Sequence, residues 1–211
     1  MLVNNVKLIE EDDMVCLSAR RNNGEFEPET FAFLSTIEPK GTFVDIGAYT
    51  GIYGIWAAKR GYNVQMFEPH PVTYERMLSN MFQNGVVCNC HNAALSDSSD
   101  NRKFFMNQSL KMTSAGSLVE GRGKTSKFEV RTYPYNQFAL GNESIIKIDV
   151  EGHELSVLKG MRSILELEKP IFIIEVLDRT QENEVVAYLK PFGYSLHSIL
   201  DERNAIFICN R

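Results

Sequence analysis

Short apolar runs of strand length alternate with amphipathic helical segments along most of this 211-residue chain. A helix between two successive strands returns the chain to the same end of a sheet, so the two strands run parallel. The helices then cover both faces of that sheet. The alternation therefore predicts an α/β fold with a mostly parallel sheet.

The predicted elements follow from hydrophobic periodicity and from turn residues. The strands are predicted at residues 42–46, 63–67, 86–92, 145–150 and 171–176, with helices at 52–59, 72–82, 155–165 and 181–189. Residues 194–199 and 205–209 predict a closing pair of strands. Residues 96–142 are less regular, with short strands expected at 104–106 and 128–130. We expect an N-terminal extension, residues 1–40, with a helix from Pro28, and then one domain, residues 41–211.

Composition and charge limit the partners, the location and the metal sites that we expect for this protein. The net charge of -5 disfavours nucleic acid as a partner, because affinity for phosphate backbones comes from Lys and Arg. The first residues are charged and lack an apolar secretion segment, and no apolar run reaches the length of a membrane span. We expect a cytoplasmic protein without a membrane span. The four cysteines lack CxxC spacing and predict core residues, not a zinc or redox site.

A glycine turn follows the first predicted strand, at Gly47 and Gly51. Glycine lets the backbone approach a bound ligand closely. A dinucleotide-binding turn would begin with glycine, where this chain has Asp45. A carboxylate repels a pyrophosphate but suits a ligand that carries an ammonium group. The turn therefore favours S-adenosylmethionine over NAD, and a plain strand-to-helix connection is the alternative.

Glu68 ends the second predicted strand, about 20 residues beyond the glycine turn, where a carboxylate can accept hydrogen bonds from ribose hydroxyls. The third strand ends in small residues that leave room for an adenine ring. The residues predicted to bind the cofactor are Asp45, Gly47, Ala48, Tyr49, Gly51, Tyr53, Glu68, Pro69, Asn92, Ala93, Ala94 and Asp149.

Ionisable groups are dense where the fourth predicted strand ends, at Asp149, Glu151 and His153. Methyl transfer to a hydroxyl requires a base, and each of the three is a candidate. If the strand persists, alternation places Lys147 on the side of the two carboxylates, where a bracing ion pair with Asp149 is the structural alternative. A divalent metal on Asp149, Glu151 and Glu175 is conceivable, but the sequence favours no metal.

Residues 102–131 carry seven basic residues against two acidic ones in an acidic chain. They are Arg102, Lys103, Lys111, Arg122, Lys124, Lys127 and Arg131, against Glu120 and Glu129. Loops of this kind can cover a site and attract an anionic ligand. This loop could be a lid over an acidic or phosphorylated substrate, or a plain solvated loop.

Four segments in order, residues 43–48, 67–69, 92–97 and 146–154, make the chain resemble the FkbM-type methyltransferases. The resemblance implies a Rossmann-like class I methyltransferase sandwich, with a mostly parallel seven-stranded sheet and a C-terminal antiparallel hairpin. It also implies S-adenosylmethionine-dependent O-methylation of a hydroxyl on a sugar, glycan or related small molecule, with S-adenosylhomocysteine as the product. The pair Tyr49-Thr50 departs from the usual Asn followed by an aliphatic residue, which can alter the methionine pocket.

Three other functions remain open at this point. An NAD-dependent oxidoreductase shares the fold class, and Asp45 is the feature against it. A nucleic-acid methyltransferase would be expected to carry an Asn/Asp-Pro-Pro-aromatic motif, which this sequence lacks. A cofactor-binding scaffold without catalysis would bind the cofactor but methylate no hydroxyl acceptor.

Overall fold

A sheet of seven strands forms the centre of the protein, in the order β11-β12-β10-β9-β3-β4-β5. The computed structural model describes residues 1–10, 13–106, 116–120 and 126–210. Within this sheet β10, β9, β3, β4 and β5 are mutually parallel, and β12 runs antiparallel to both β10 and β11. The expected Rossmann-like α/β sheet with a closing antiparallel hairpin is confirmed.

The elements are numbered in chain order. The strands are β1 Leu2–Val3, β2 Val6–Lys7, β3 Thr42–Ile46, β4 Asn63–Phe67, β5 Asn89–His91, β6 Ala94–Leu95, β7 Asp100–Met106, β8 Ser126–Tyr133, β9 Glu143–Ile148, β10 Ile171–Glu175, β11 Tyr194–Leu200 and β12 Asn204–Cys209. The helices are α1 Met14–Arg21, α2 Pro28–Ser35, α3 Ile52–Arg60, α4 Pro71–Gln83, α5 Glu154–Lys159, α6 Arg162–Leu167 and α7 Arg179–Leu189.

The central strand β3 is buried along its whole length, and its side chains alternate between two hydrophobic clusters. Phe43 packs into one cluster with α2 and α3, whereas Val44 and Ile46 pack into the other with α5, α6 and α7. Burial on both faces explains why the strand, after Thr42, is an apolar run interrupted only by Asp45. That one polar residue lies close to the carboxyl end of the strand.

The N-terminal residues pack on the same side of the sheet as α3. Val6, Leu8 and Val15 belong to the cluster that contains Phe43. The sequence predicted one helix in this extension, at Pro28. The structure adds α1 and the β1–β2 pair, whose strands are too short to show a periodicity.

Two predicted elements of the second half are different in the structure. The fourth strand ends at Ile148, so the alternation expected to continue to Glu151 stops, and Glu151 has a φ of 56°. The helix predicted at 155–165 is two helices separated at Gly160 and Met161. Gly160 lies so close to Ser96 that a Cβ atom would be 2.0 Å from its carbonyl oxygen. This close packing of the chain explains the break.

The irregular region forms a second sheet in the order β6-β8-β7. The short strands predicted at 104–106 and 128–130 are parts of β7 and β8, which pair antiparallel with Phe104 opposite Phe128. The third predicted strand, 86–92, is reduced to β5. Within the described ranges, we find no helix with both the length and the apolar character needed to cross a bilayer.

Candidate functional site

A cavity lies where β3, β4, β9 and β10 end, at the carboxyl edge of the sheet. Ligands of open α/β sheets bind at this edge, because the turns that leave parallel strands meet there. The cavity is also lined by Phe26 and Glu27 of the N-terminal extension and by Ser117, beside the β7–β8 pair. Three separate parts of the chain therefore enclose it.

The glycine turn, residues 47–51, forms one wall and is held by β4. Gly47 and Ala48 both donate their N–H groups to the carbonyl oxygen of Phe67, each at 3.0 Å. Gly47 has a φ of 81°, and a Cβ atom there would lie 1.8 Å from the carbonyl oxygen of Asp149. Only glycine allows the turn after β3 to approach the turn after β9 this closely.

Glu68 lies in the cavity wall with only 6% of its surface exposed. Its Oε2 accepts the N–H of Tyr49 at 3.0 Å, and its Oε1 accepts the N–H of His70 at 2.8 Å. Burial raises the pKa of Glu68 to about 7, although these two hydrogen bonds oppose the shift. Each oxygen has a second lone pair, so the fixed carboxylate can also accept hydrogen bonds from a pair of ligand hydroxyls.

Asp45 is buried beneath the glycine turn, with 2% of its surface exposed. Its Oδ2 accepts the N–H of Gly54 at 3.0 Å and so ties β3 to α3. Burial raises the pKa of Asp45 to about 6, with nearby Lys147 acting in the opposite direction. One oxygen of Asp45 therefore has a structural partner, while the residue still borders the cavity.

Lys147 is a buried cation at the centre of the site, with 2% of its surface exposed. Its Nζ donates to Oδ2 of Asp149 at 2.7 Å and lies 4.6 Å from the ring centre of Tyr53. Burial would lower the pKa of Lys147, but the charges of Asp149 and Glu27 outweigh burial and raise it. The bracing ion pair that the sequence allowed is present.

Glu27 brings a carboxylate from the N-terminal extension to this buried cation. Its Oε2 accepts hydrogen bonds from the Tyr53 hydroxyl and from Nδ2 of Asn204, the latter at 3.0 Å. Burial raises the pKa of Glu27, and the charge of Lys147 opposes that shift. Sequence analysis missed Glu27, because nothing in its local pattern indicates that it would meet β9 and β12.

A carboxylate cluster, Asp149, Glu151 and Glu175, forms the opposite wall, and one oxygen of each lies within 4.8 Å of the others. Oε1 of Glu175 is 3.5 Å from Arg203, whereas its Oε2 is buried and has no hydrogen-bond partner among the described residues. Burial and the neighbouring carboxylates raise the pKa of Glu175 well above its ordinary value. This spacing is compatible with oxygen ligation of a divalent cation, which the sequence had also allowed.

His153 and Glu154 follow this cluster but have different roles. Nε2 of His153 lies 2.9 Å from the Ser96 hydroxyl, and the residue lines the cavity. Burial and Arg102 lower the pKa of His153 to about 4 against the influence of Asp97. Glu154 has no exposed surface; its Oε1 accepts the N–H groups of Val150 and Gly152 at 3.1 and 3.0 Å. Glu154 therefore holds the turn after β9.

Most of the residues predicted from the sequence line the cavity. They are Asp45, Gly47, Ala48, Tyr49, Tyr53, Glu68, Pro69, Ala93, Ala94, Asp149, Glu151 and His153. Two of the predicted residues lie behind its wall. Gly51 precedes α3 with a φ of 78°, packed so that a Cβ atom would be 2.8 Å from Met77. Asn92 donates to the carbonyl oxygens of Glu68 and Pro69, at 2.8 and 3.1 Å, and so supports the wall.

The predicted basic lid lies partly outside the described residues, namely at Lys111, Arg122 and Lys124. Two of its described basic residues have local partners: Arg102 pairs with Asp97 at 2.8 Å, and Arg131 lies 5.6 Å from the ring centre of Tyr133. A lid that recognises an acidic substrate therefore stays a prediction.

Known proteins match the chain in sequence and in fold. The family model of the methyltransferase FkbM domain matches residues 45–196. A hexuronic acid methyltransferase, AglP of Haloferax volcanii, is 25% identical over 187 residues, which are 84% of this chain and 73% of that protein.

Solved structures agree on the fold. A methyltransferase FkbM from Methylobacillus flagellatus superposes with a TM-score of 0.56 at 20% identity, covering 81% of this chain and 43% of its own. A precorrin-6y C5,15-methyltransferase from Geobacter metallireducens superposes with a TM-score of 0.53 at 9% identity, covering 97% and 92%. At these identities the two structures support the Rossmann-like methyltransferase fold alone. This chain spans less than half of the first of them.

Proposed function

Because the chain belongs to the FkbM methyltransferase family, we propose that it transfers a methyl group from S-adenosylmethionine to a hydroxyl group of a sugar, a glycan or a related small molecule. The observation that carries the proposal is the fixed carboxylate of Glu68 beside the glycine turn, in a cavity that continues to Asp149 and His153. A cofactor site and a group of candidate bases thus share one cavity.

The cavity residues fit an adenosyl cofactor. Glu68 would accept hydrogen bonds from the ribose hydroxyls, and the small side chains of Ala93 and Ala94 would leave room for the adenine ring. The Tyr49 hydroxyl and the Thr50 hydroxyl are buried there without a hydrogen-bond partner among the described residues. A polar ligand that satisfies such groups recovers the cost of their burial.

The charge of the cavity also supports a cationic ligand. Its carboxylates are Glu27, Asp45, Glu68, Asp149, Glu151 and Glu175, whereas its permanently charged cations are Lys147 and Arg203. An excess of carboxylates attracts a sulfonium and repels a pyrophosphate. This supports S-adenosylmethionine over NAD. When bound, the cofactor supplies a methyl group on positively charged sulfur, and the protein must align the acceptor, exclude water and take up one proton.

In our proposal, the N-terminal extension, residues 1–40, helps to exclude water from the cavity. Phe26 and Glu27 close the cavity on the side of α3. The domain itself would be residues 41–211. A buried ion pair between Asp13 and Arg76, at 2.6 Å, holds the start of α1 against α4 and keeps this wall in place.

The class of acceptor rests on the hexuronic acid methyltransferase, whose name specifies an acidic sugar. We propose a sugar hydroxyl as the acceptor and an acidic sugar as the first to test. Arg203 could pair with the acid group, because its side chain is 60% exposed and reaches the cavity. The cytoplasmic location and the absence of a nucleic-acid partner stay predictions.

Calorimetric titration with S-adenosylhomocysteine and, separately, with NAD tests the cofactor. We expect S-adenosylhomocysteine to bind the wild type and NAD not to bind. Glu68→Ala removes the acceptor for the ribose hydroxyls and for two backbone N–H groups, so it should weaken binding by roughly 100-fold. Glu75→Ala is the matched control, because Glu75 is exposed on α4 and does not line the cavity.

Mass spectrometry of glucuronic acid after incubation with S-adenosylmethionine tests the transfer. A methyl ester and a methyl ether of the sugar are distinguished by alkaline hydrolysis, which cleaves only the ester. Binding of NAD alone would contradict the methyltransferase proposal. Binding of S-adenosylhomocysteine without transfer to any of a panel of sugars would favour the non-catalytic scaffold.

A further inference from the structure

A chain of hydrogen bonds runs from the cavity to Asp97 through His153 and Ser96. The Ser96 hydroxyl lies 2.9 Å from Nε2 of His153 and donates to Oδ1 of Asp97 at 3.0 Å. Arg102 contacts the same oxygen of Asp97 at 2.8 Å. Ser96 lies in one of the segments that resemble the FkbM family, but nothing in the methyl transfer proposed above requires its hydroxyl.

The direction of each hydrogen bond follows from the protons available. A carboxylate can only accept, and a serine hydroxyl has one proton to donate. Burial opposes ionisation of Asp97, but the hydrogen bond from Ser96 and the charge of Arg102 lower its pKa, so Asp97 is ionised at neutral pH. The Ser96 proton therefore points to Asp97, and the Ser96 oxygen must accept a proton from Nε2 of His153.

This assignment determines the tautomer of the ring. A neutral imidazole carries one N–H, so a proton on Nε2 leaves Nδ1 with a free lone pair. The burial that lowers the pKa of His153 keeps the ring neutral at pH 7. Within the described residues, Nδ1 of His153 has no hydrogen bond, and His153 lines the cavity.

Several carboxylates of the cavity already have partners in the protein. Asp149 is paired with Lys147, Oε1 of Glu175 lies 3.5 Å from Arg203, and both oxygens of Glu68 accept backbone hydrogen bonds. In contrast, Nδ1 of His153 has no hydrogen bond among the described residues. We propose that His153 is the general base through Nδ1 and that Ser96 and Asp97 are positioning residues that hold its tautomer. This inference rests on the proposed methyl transfer.

The proposed methyl transfer is an in-line displacement, in which the bonds made and broken and the proton are all accounted for. The acceptor oxygen gives a lone pair to the methyl carbon, the bond from that carbon to sulfur breaks with its electrons left on sulfur, and the hydroxyl proton moves to Nδ1 of His153. The ring then carries a positive charge. Its Nε2–H still donates to Ser96, and the ionised Asp97 at the end of the chain stabilises that charge.

The backbone keeps Ser96 in place for this task. Ser96 has no exposed surface, and its N–H donates to the carbonyl oxygen of Tyr133 at 3.0 Å. Its own carbonyl oxygen packs against Gly160, where no side chain would fit. His153 precedes α5, and its carbonyl oxygen accepts the N–H of Val157 at 3.2 Å. Ser96 is thus held by β8 and His153 by α5.

Nitrogen NMR of the histidine rings tests the tautomer without cofactor or acceptor. The chain has four histidines, and the signals of His153 are the ones lost in His153→Gln. At pH 7 we expect the neutral Nε2–H form in the wild type and in Ser96→Thr, which retains the hydroxyl. Ser96→Ala should shift the ring to a mixture of tautomers. Ser99→Ala is the matched control, because Ser99 is exposed and its hydroxyl accepts a hydrogen bond from Gln137, outside the chain from Asp97 to His153.

Kinetics with a hydroxyl acceptor test the consequence. Loss of general base catalysis typically costs a factor of about 100 or more, so His153→Gln should lower kcat by about 100-fold and leave KM nearly unchanged. Ser96→Ala should lower kcat by about 10-fold, with recovery in Ser96→Thr.

An Nδ1–H form or a charged ring in the wild type would overturn the inference, as would an unchanged tautomer or unchanged kcat in Ser96→Ala. The NMR result is independent of the cofactor. A protein that has the Nε2–H tautomer but does not bind S-adenosylhomocysteine would disprove the proposed function and the assigned base, while the hydrogen-bond chain itself would stand.

Discussion

Two groups of carboxylates lie at the same edge of the central sheet, but the protein surrounds them with different partners. Near the ends of β3 and β4, Asp45 and Glu68 accept hydrogen bonds from backbone N–H groups of neighbouring turns. At the ends of β9 and β10, Asp149 and Glu175 face other carboxylates and depend on the side-chain cations Lys147 and Arg203. The first group is held by the backbone, the second by side chains.

The difference in partners indicates which half of the cavity is rigid and which half can respond to a ligand. The backbone donors to Asp45 and Glu68 belong to α3 and to the residues that follow β3 and β4. They do not titrate, so they can donate hydrogen bonds at any pH. A side-chain cation can move, and a carboxylate beside another carboxylate changes its protonation when a charge arrives. Under the proposed function, Asp45 and Glu68 would bind the cofactor, and the carboxylate cluster would face the acceptor.

The two halves meet where Gly47 packs against the carbonyl oxygen of Asp149, and one substitution can disrupt this contact. Gly47→Ala would place a Cβ atom 1.8 Å from the carbonyl oxygen of Asp149, in a backbone with a φ of 81°. We expect a loss of more than roughly 4 kcal/mol in the free energy of unfolding, measured by urea denaturation. Gly61→Ala is the control, because its φ is also positive but a Cβ atom there would meet nothing within 4 Å. Equal losses in the two variants would show that the turns can separate without cost.

Removal of the buried cation tests whether the second group depends on side chains. Lys147→Met leaves Asp149 and Glu27 without their shared positive neighbour, and breaking a buried ion pair costs roughly 3–5 kcal/mol. The loss in the free energy of unfolding should shrink at acidic pH, where Glu27, whose pKa is raised by burial, becomes protonated. Lys159→Met, at an exposed position of α5, should have little effect. A loss that does not change with pH would assign the effect to packing alone.

Glu154→Gln tests how pH affects the stability of the turn after β9, which leads into the carboxylate cluster. Burial raises the pKa of Glu154 from 4.5 to about 7 in the folded protein, so the unfolded chain ionises first as pH rises. Below pH 4.5 the group is protonated in both states and has no effect. Between about pH 4.5 and 7 the wild type should lose up to about 3 kcal/mol relative to the Gln variant.

The measurement is urea denaturation of both proteins at several pH values between 4 and 8. The difference between wild type and variant removes contributions from other titrating groups, including His153, whose lowered pKa acts in the opposite direction. A difference that stays constant over this range would mean that the pKa of Glu154 is the same in the folded and unfolded states and that its backbone donors offset the effect of burial.

The central strands could be predicted because their signal is local. The strands β3 and β4 match the predicted 42–46 and 63–67, since each is an apolar run between turn residues. The predictions were less accurate where a distant part of the chain decides the geometry. The helix after β9 is broken because Gly160 packs on Ser96, which is 64 positions earlier in the sequence.

Local patterns in the sequence were enough to predict the order of the central strands, the glycine turn with Asp45, and the place of Glu68 at the end of its strand. These features depend on neighbours along the chain. The charge interaction between Glu27 and Lys147 and the hydrogen bond between Ser96 and His153 are visible only in the tertiary structure. Residues of each pair are far apart in sequence, so their contact depends on how the crossovers and the N-terminal extension pack around the sheet. No local pattern of residues encodes that packing.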